Sequence, residues 1–189
     1  MPSSVEEALA SPQAEFWREA MDAEIASLHE NGTWSLVEAP STVRPVDVKW
    51  VYAVKRDGMG NIVRFKARLV AKGFQQREGI DFTETFAPVS KYSSTRGVLA
   101  VAAAEGWEVQ QLDVKTAFLQ GRLQEQVYVV QPPGYSDGTG RVCLLYKALY
   151  GLKQAPRAWH EHMHEQLVQL GYSVSVADPG LYLCTRSEP

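Results

Sequence analysis

Two β-branched and aromatic runs joined by a glycine-rich turn decide the fold of this chain. They read Val46-Asp-Val-Lys-Trp-Val-Tyr-Ala-Val-Lys-Arg56 and Ile62-Val-Arg-Phe-Lys-Ala-Arg-Leu-Val70, with Asp57-Gly-Met-Gly-Asn61 between them. Such runs around a short glycine-rich turn predict a β-hairpin. Because side chains alternate between the two faces of a strand, Arg64, Lys66 and Arg68 are expected to share one face. The pattern therefore predicts a hairpin with one cationic and one apolar face.

The bulk composition is typical of a globular domain. At 189 residues and 45% hydrophobic, the chain can bury a core and corresponds to one domain or a large part of one. No apolar run approaches the roughly 20 residues of a membrane span, and the acidic N-terminus lacks the regions of a secretion signal. Cys143 and Cys184 are too few for a disulfide framework or a zinc cluster, so both are expected to stay reduced in an intracellular setting.

The charge is distributed unevenly along the chain. The formal net charge of -3 argues by itself against nucleic-acid binding. Acidic residues dominate up to Asp47, whereas the segment from Lys49 to Arg77 is rich in lysine and arginine. A local cationic excess is what a phosphate-contacting surface requires, and Lys49, Lys55 and Lys72 are its nucleic-acid-binding candidates. The alternative is a solvated hairpin with ordinary surface lysines.

The remaining chain predicts an α+β fold in which an antiparallel sheet packs on helices. Helices are expected from the Ser11-Pro12 start to Asn31-Gly32, from Ser93 or Ser94 to Gly106, and from Pro156 to Gly171. Strands are expected at residues 107–112, 128–130 and 142–146, and a tail hairpin at residues 172–185 turns at Asp178-Pro179-Gly180. The strand at 107–112 would deliver Asp113 at its end, in a segment that is expected to be buried.

Asp113 is the candidate for metal chemistry. Its carboxylate and the neighbouring carbonyl of Val114 are oxygen ligands of the kind that magnesium prefers. A lone aspartate after a strand is otherwise typical of a turn cap. No acidic pair that would complete a metal site follows in the sequence.

A second motif, His160-Glu-His-Met-His164, formally matches the zinc-protease pattern H-E-x-x-H on a predicted helix. A third protein ligand is not evident, because the other histidine outside this cluster is His29. A solvated helix face is the favoured interpretation.

Six blocks carry a family resemblance. They are Asn31-Gly-Thr-Trp-Ser-Leu-Val37, Lys49-Trp-Val-Tyr52, Lys66-Ala-Arg-Leu-Val-Ala-Lys-Gly-Phe74, Glu84-Thr-Phe-Ala-Pro-Val89, Leu112-Asp-Val-Lys-Thr-Ala-Phe-Leu119 and Leu149-Tyr-Gly-Leu-Lys-Gln-Ala-Pro-Arg-Ala-Trp159. In this order they resemble the reverse transcriptases of copia-type LTR retrotransposons. Ordered blocks are far more specific than one short motif.

The resemblance implies an RNA-directed DNA polymerase that copies RNA into DNA by two-metal nucleotidyl transfer. It implies the fingers and partial palm of a right-hand polymerase at residues 13–189, after an N-terminal extension at 1–12. The Tyr-x-Asp-Asp hairpin of the family would fall after Pro189, so this chain is expected to be inactive by itself. The alternative is a domesticated or degenerate, non-catalytic nucleic-acid-binding remnant.

The resemblance also implies roles for individual residues. Asp113 corresponds to the first catalytic aspartate, with Val114 beside it at a two-metal Mg²⁺ site that is incomplete in this chain. Phe118, next to Ala117, corresponds to the aromatic that excludes a ribose 2′-hydroxyl. The nucleotide-binding cations correspond to Arg68, Lys66 and, as a further candidate, Lys153.

Partners and location follow from the same resemblance. The implied partners are an RNA/DNA template–primer, dNTPs and the RNase H and integrase regions of a Pol polyprotein. The implied location is a cytoplasmic virus-like particle, the nucleus, or both.

Overall fold

The computed structural model describes residues 1–184 and shows an α+β architecture with antiparallel sheets. Within these residues the helices are α1 (Val5–Ala10), α2 (Ala14–Glu30), α3 (Tyr92–Glu105) and α4 (Ala155–Gln169). The strands are β1 (Trp34–Val37), β2 (Val48–Arg56), β3 (Ile62–Ala71), β4 (Arg122–Val129), β5 (Val142–Lys147), β6 (Ser173–Val174) and β7 (Tyr182–Leu183). They form a sheet of order β1-β5-β4 and two hairpins, β2–β3 and β6–β7.

The predicted hairpin is confirmed as β2–β3, and its apolar face packs on α2. Burial alternates along β2, where every second residue from Val48 to Tyr52 is buried. The Trp17 ring of α2 meets the Tyr52 ring at 5.2 Å and the Phe65 ring at 4.7 Å, both edge to face. Aromatic pairs in this geometry add stabilisation beyond the area that they bury. The predicted packing of an antiparallel sheet on helices is therefore confirmed for α2 and the hairpin.

The N-terminal segment contains a helix that was not predicted. In α1, Val5 and Ala8 are buried, and the Ser4 side chain accepts the Glu7 N–H. The Ser11 hydroxyl donates to the Ala8 carbonyl at 2.8 Å and so serves the end of α1. Helix α2 begins later, at Ala14, so the predicted start at Ser11-Pro12 is wrong. The serine that was interpreted as an N-cap lies at the end of another helix.

The three-stranded sheet joins the hairpin through one isolated bridge. Strands β4 and β5 overlap the predicted strands at 128–130 and 142–146, and β4 begins earlier, at Arg122. The Val46 N–H donates to the Tyr128 carbonyl, and the Val130 N–H donates to the Val46 carbonyl. Buried Val127, Val129 and Leu145 therefore share one core with the hairpin and α2.

The predicted strand at residues 107–112 is wrong. Residues 107–114 form neither a helix nor a strand, and Trp107 and Leu112 are 60% and 86% exposed. A strand exists only where a neighbouring backbone accepts and donates its hydrogen bonds. Within residues 1–184 no strand pairs with this segment. Asp113 therefore lies on an exposed segment, contrary to the expected burial.

Helix α3 is joined to the tail hairpin by Asp178. The helix begins at Tyr92 after Lys91, not at Ser93 or Ser94, and the buried Asp178 carboxylate accepts the Lys91 N–H at 2.8 Å. Hydrogen bonds from Ser94 and from backbone N–H groups lower the pKa of Asp178. The predicted hairpin is confirmed as β6–β7, and its predicted last residue, Thr185, lies outside the described residues.

Helix α4 carries Pro156 in its first turn, as predicted. Its buried residues are Ala155 and Ala158. The apolar face that helical spacing predicts, namely Trp159, Met163, Leu167 and Leu170, is half-buried at its first three residues and exposed at Leu170. None of the helices described in residues 1–184 has the length and apolar character needed to cross a membrane.

Candidate nucleotide-binding groove

A groove of about 890 Å³ collects four of the predicted site residues. Its walls are α2, β3 and residues 113–116, and Gln13, Leu119 and Tyr150 complete the lining. Asp113 and Val114 enter it from the exposed segment, and Lys66 and Arg68 enter it from β3. Residues nominated from distant parts of the sequence thus lie around one concave surface.

The cationic face of the hairpin includes residues of both strands, whereas the sequence predicted it from the alternation along β3 alone. In the β2–β3 register, Lys55 lies opposite Arg64, and Lys49 lies opposite Val70. Directly paired residues project to the same side of a sheet. The face therefore unites five cations, namely Lys49, Lys55, Arg64, Lys66 and Arg68. Burial lowers the pKa of Lys66, and the neighbouring positive charges lower it further. A bound anion would relieve that repulsion.

Glu24 stands at the open edge of β3, in the wall of the same groove. Its carboxylate accepts the Leu69 N–H at 3.3 Å and so satisfies a backbone donor that has no strand partner. Burial raises the pKa of Glu24, while the Leu69 hydrogen bond and the charges of Arg68 and Lys66 oppose that rise. The groove therefore contains a carboxyl group that resists ionisation beside two cations.

Tyr150 links two of the predicted nucleotide-binding residues. The Arg68 guanidinium carbon lies 5.1 Å from the centroid of the Tyr150 ring. The Phe118 ring meets the same tyrosine edge to face at 4.8 Å. Phe118 and Ala117 belong to a half-buried 3-10 turn, Ala117–Gln120, and do not line the groove themselves. Phe118 is therefore connected to Arg68 through one aromatic ring.

Tyr150 was not singled out from the sequence, although it lies inside the block Leu149–Trp159. The available signal was an aromatic residue placed directly before a glycine in that block. Its contacts are with residues distant in sequence, which periodicity does not reveal.

Thr116 marks backbone strain between Asp113 and Phe118. Its φ of 51° is the one positive value for a non-glycine residue in the described chain. A β-branched residue rarely adopts this region, and such strain persists where the surroundings impose it. Here the chain passes from the exposed Asp113 to the buried Leu119.

The described residues do not complete a metal site. Asp113 is exposed, and residues 1–184 contain no group of three or more histidine, cysteine or acidic side chains placed to hold a metal ion. Asp113 and the Val114 carbonyl offer oxygen ligands, which suit a hard divalent cation. One carboxylate and one carbonyl are too few to hold two such ions.

Two of the three side chains of the H-E-x-x-H motif make contacts with residues outside it. Glu161 accepts from Arg157 at 2.7 Å, and the His164 ring lies within hydrogen-bond distance of the Tyr182 hydroxyl at 3.2 Å. The Nε2 atom of His160 is buried without a partner, and burial lowers the pKa of that ring. The arrangement gives no support to a zinc protease.

Two predicted cations make contacts outside the groove. The Lys72 ammonium pairs with Asp47 at 3.2 Å, and the Lys153 ammonium lies 4.6 Å from the centroid of the Phe82 ring. Hydrogen bonds from Gln75 and Lys72 lower the pKa of Asp47. Lys72 therefore fastens the base of the hairpin, and Lys153 covers an aromatic ring.

Comparison with known proteins matches residues 31–188 to the family described as "Reverse transcriptase (RNA-dependent DNA polymerase)". The chain is 47% identical to the Retrovirus-related Pol polyprotein from transposon TNT 1-94 of Nicotiana tabacum over 189 residues, 99% of this chain and 14% of that polyprotein. It is 48% identical to the Pol polyprotein from transposon RE1 of Arabidopsis thaliana over 177 residues, 92% and 12% of the two chains. No solved structure matches. The chain thus spans a small part of these relatives, and it belongs to the reverse transcriptase family of copia-type retrotransposon Pol polyproteins.

Proposed function

We propose that this chain is the fingers and part of the palm of an RNA-directed DNA polymerase that acts within a longer Pol polyprotein. The observation that carries the proposal is the groove, because it places the cations Lys66 and Arg68 around the same surface as Asp113. A concave surface with a few convergent charged groups is the expected form of a nucleotide site.

The triphosphate of a dNTP is the proposed ligand of the cationic wall. The Arg68 guanidinium suits bidentate phosphate contact, and Lys66 supplies a point charge. The Tyr150 ring restricts the guanidinium before a ligand arrives, which lowers the entropic cost of binding. Phe118, held against the same ring, is the proposed limit on the size of the sugar.

Mg²⁺ is the proposed ion at Asp113 and Val114. Because the described residues do not complete a metal site, other parts of a longer polyprotein would supply the further carboxylates. RNase H and integrase regions of that polyprotein are the proposed covalent partners, in a virus-like particle or the nucleus.

The template–primer is the proposed ligand of the outer hairpin face. Lys49 and Lys55 are exposed on β2, on the same side as the groove cations. Cations at such a face bind phosphates and release counterions, so binding weakens as salt rises.

A second candidate is a nucleic-acid-binding module without catalysis. It is favoured by one contrast: residues 1–184 contain the whole cationic face, but no complete set of metal ligands. In that case Asp113 would contribute nothing to function.

Primer extension with Mg²⁺ separates the two candidates. The assay compares the isolated chain, the longer polyprotein and the polyprotein carrying Asp113→Asn. We expect extension by the polyprotein and its loss in the variant. Duplex binding without extension by either protein would favour the module, and an Asp113→Asn polyprotein with full activity would contradict the polymerase assignment.

A salt titration of duplex binding tests the cationic face. The Lys49→Ala/Lys55→Ala variant should reduce the slope of log K against log salt by up to about 1.8, since each phosphate contact contributes about 0.9. The matched control is Arg96→Ala/Arg122→Ala, which removes two exposed cations that belong to α3 and β4 and not to the hairpin. Equal slopes for the two variants would refute the assignment of this face.

A further inference from the structure

A cluster of buried amides lies where the turn before α4 meets the segment after β3. Gln76 and Gln154 are only 5% and 3% exposed. The Gln76 side-chain amide donates to Gln154 Oε1 at 2.9 Å, and the Gln154 amide donates to the Asp81 carbonyl at 2.9 Å. Gln76 Oε1 accepts the Lys153 N–H at 2.8 Å. We call the paired side chains of Gln76 and Gln154 the glutamine clasp.

Every side-chain amide nitrogen and oxygen of the glutamine clasp has a hydrogen-bond partner. Both glutamine amide nitrogens donate and both amide oxygens accept within the described structure. Burying an amide without partners is costly, so such a pair exists in a core only if its hydrogen bonds compensate for lost water. The clasp therefore has one low-energy arrangement, and that arrangement fixes the turn.

The turn held by the clasp is the one that carries Tyr150. At its other end the Tyr150 carbonyl accepts the Ala71 N–H at 2.7 Å, at the end of β3. Between these points the backbones touch, since a Cβ on Gly73 would lie 2.0 Å from the Gly151 carbonyl oxygen. The turn is thus hydrogen-bonded to β3, the strand of Arg68, at Tyr150, and to the segment after β3 at Gln154.

We infer that Gln154 is a positioning residue that places the Tyr150 ring between Arg68 and Phe118. Gln154 does not line the groove, so it acts only through the turn. The use of this placement for nucleotide selection rests on the proposed function. Without the clasp, the Arg68 guanidinium loses its ring contact and Phe118 loses the neighbour that holds it.

Gln154→Met is the decisive change, because methionine fills a similar volume but cannot make either amide hydrogen bond. Gln154→Asn keeps the amide and shortens its reach by one methylene. The matched control is Gln169→Met, which changes an exposed glutamine in the last turn of α4, the helix that follows Gln154. All variants are made in the full chain and compared at a temperature where circular dichroism shows each to be folded.

The first readout is the ring position itself. Nuclear Overhauser contacts between the Tyr150 and Phe118 rings should be present in the wild-type chain and in Gln169→Met, because the ring centroids lie 4.8 Å apart. They should weaken in Gln154→Asn and be lost in Gln154→Met. Contacts retained in a folded Gln154→Met chain would overturn the inference, whether or not the chain binds a nucleotide.

The second readout is the dissociation constant for dTTP and for UTP. Gln154→Met should weaken dTTP binding about two- to fivefold, the equivalent of one partly exposed cation–π contact, and should bring the two constants closer together. A variant that is merely less stable has fewer competent molecules, which changes both constants equally and leaves their ratio intact. An unchanged ratio would overturn the role in selection. A wild-type chain that binds neither nucleotide would contradict the proposed binding of the triphosphate to the cationic wall, while the ring contacts still decide the placement.

Discussion

Replacing Gly151 by alanine should destabilise the chain by an amount that the structure divides into two parts. Gly151 has a φ of +88°, and an added Cβ would lie 2.2 Å from the Ala71 carbonyl oxygen and 2.7 Å from Val70 Cγ1. The left-handed backbone costs a non-glycine residue about 1–2 kcal/mol. Forcing an extra methyl group into a packed contact costs about 1–3 kcal/mol more. We therefore expect a loss of about 2–5 kcal/mol in the free energy of unfolding.

Gly60→Ala is a matched control for the backbone part. Gly60 has a φ of +87°, and no atom lies within 4 Å of its added Cβ. This variant should lose only about 1–2 kcal/mol. The assay is equilibrium urea unfolding of both variants and the wild-type chain. The dependence of the free energy on urea should stay the same, because the surface exposed on unfolding is unchanged.

The difference between the two variants measures the close contact between the Tyr150 turn and β3. If Gly60→Ala and Gly151→Ala lose the same free energy of unfolding, the close contact is refuted, since the backbone cost is the same for both residues. A larger loss for Gly60→Ala would show that the contact at Ala71 is absent in solution.

Three further predictions concern the groove and its supports. In the longer polyprotein, Phe118→Val should relax discrimination against ribonucleotides in single-nucleotide incorporation. Phe16→Ala, which changes a phenylalanine of the groove without that role, should not. Equal selectivity of the two variants would contradict the role of Phe118 in limiting the size of the sugar. Burial raises the pKa of Glu24, so its ionisation costs stability as pH rises above its ordinary value near 4.5. Glu24→Gln, which keeps the acceptor for the Leu69 N–H, should therefore be as stable as wild type near pH 4 and more stable near pH 7 in urea unfolding; a constant difference between the two pH values would contradict this. Deleting residues 1–12 removes the buried side chains of α1 and should lower the free energy of unfolding by about 2–4 kcal/mol, and an unchanged urea midpoint would show that the helix contributes nothing.

Features that depend on local periodicity were predictable from the sequence. The two-residue period of β3 puts Lys66 and Arg68 on one face, and the 3.6-residue period of α2 puts Trp17 and Met21 on one buried face. Such patterns are imposed by backbone geometry within one element. The nomination of Asp113 and Arg68 came from motif resemblance, and the structure brings both into one groove.

Features that depend on a distant partner were not predictable. Residues 107–112 have the apolar content of a strand, yet pairing decides whether a strand forms, and no described strand accepts them. The contact of Arg68 with Tyr150 depends on how the turn at Gly151 approaches β3. Ser11 satisfied the rule for a helix start but serves the end of α1, because a hydroxyl can accept or donate at either terminus.

The shallow packing of α3 makes the two sides of the groove mechanically unequal. Helix α3 buries only Ala102, and the exposed segment that follows it carries Asp113, whereas Arg68 sits on a strand anchored in the core. Amides in thinly packed segments exchange with solvent through small local openings, while those of core strands exchange only on global unfolding. Arg68 therefore lies on a rigid side of the groove and Asp113 on a flexible side. Immobilising a residue costs about 1–2 kcal/mol of backbone entropy, so a ligand that bridges both walls gives up part of its affinity to order the Asp113 side.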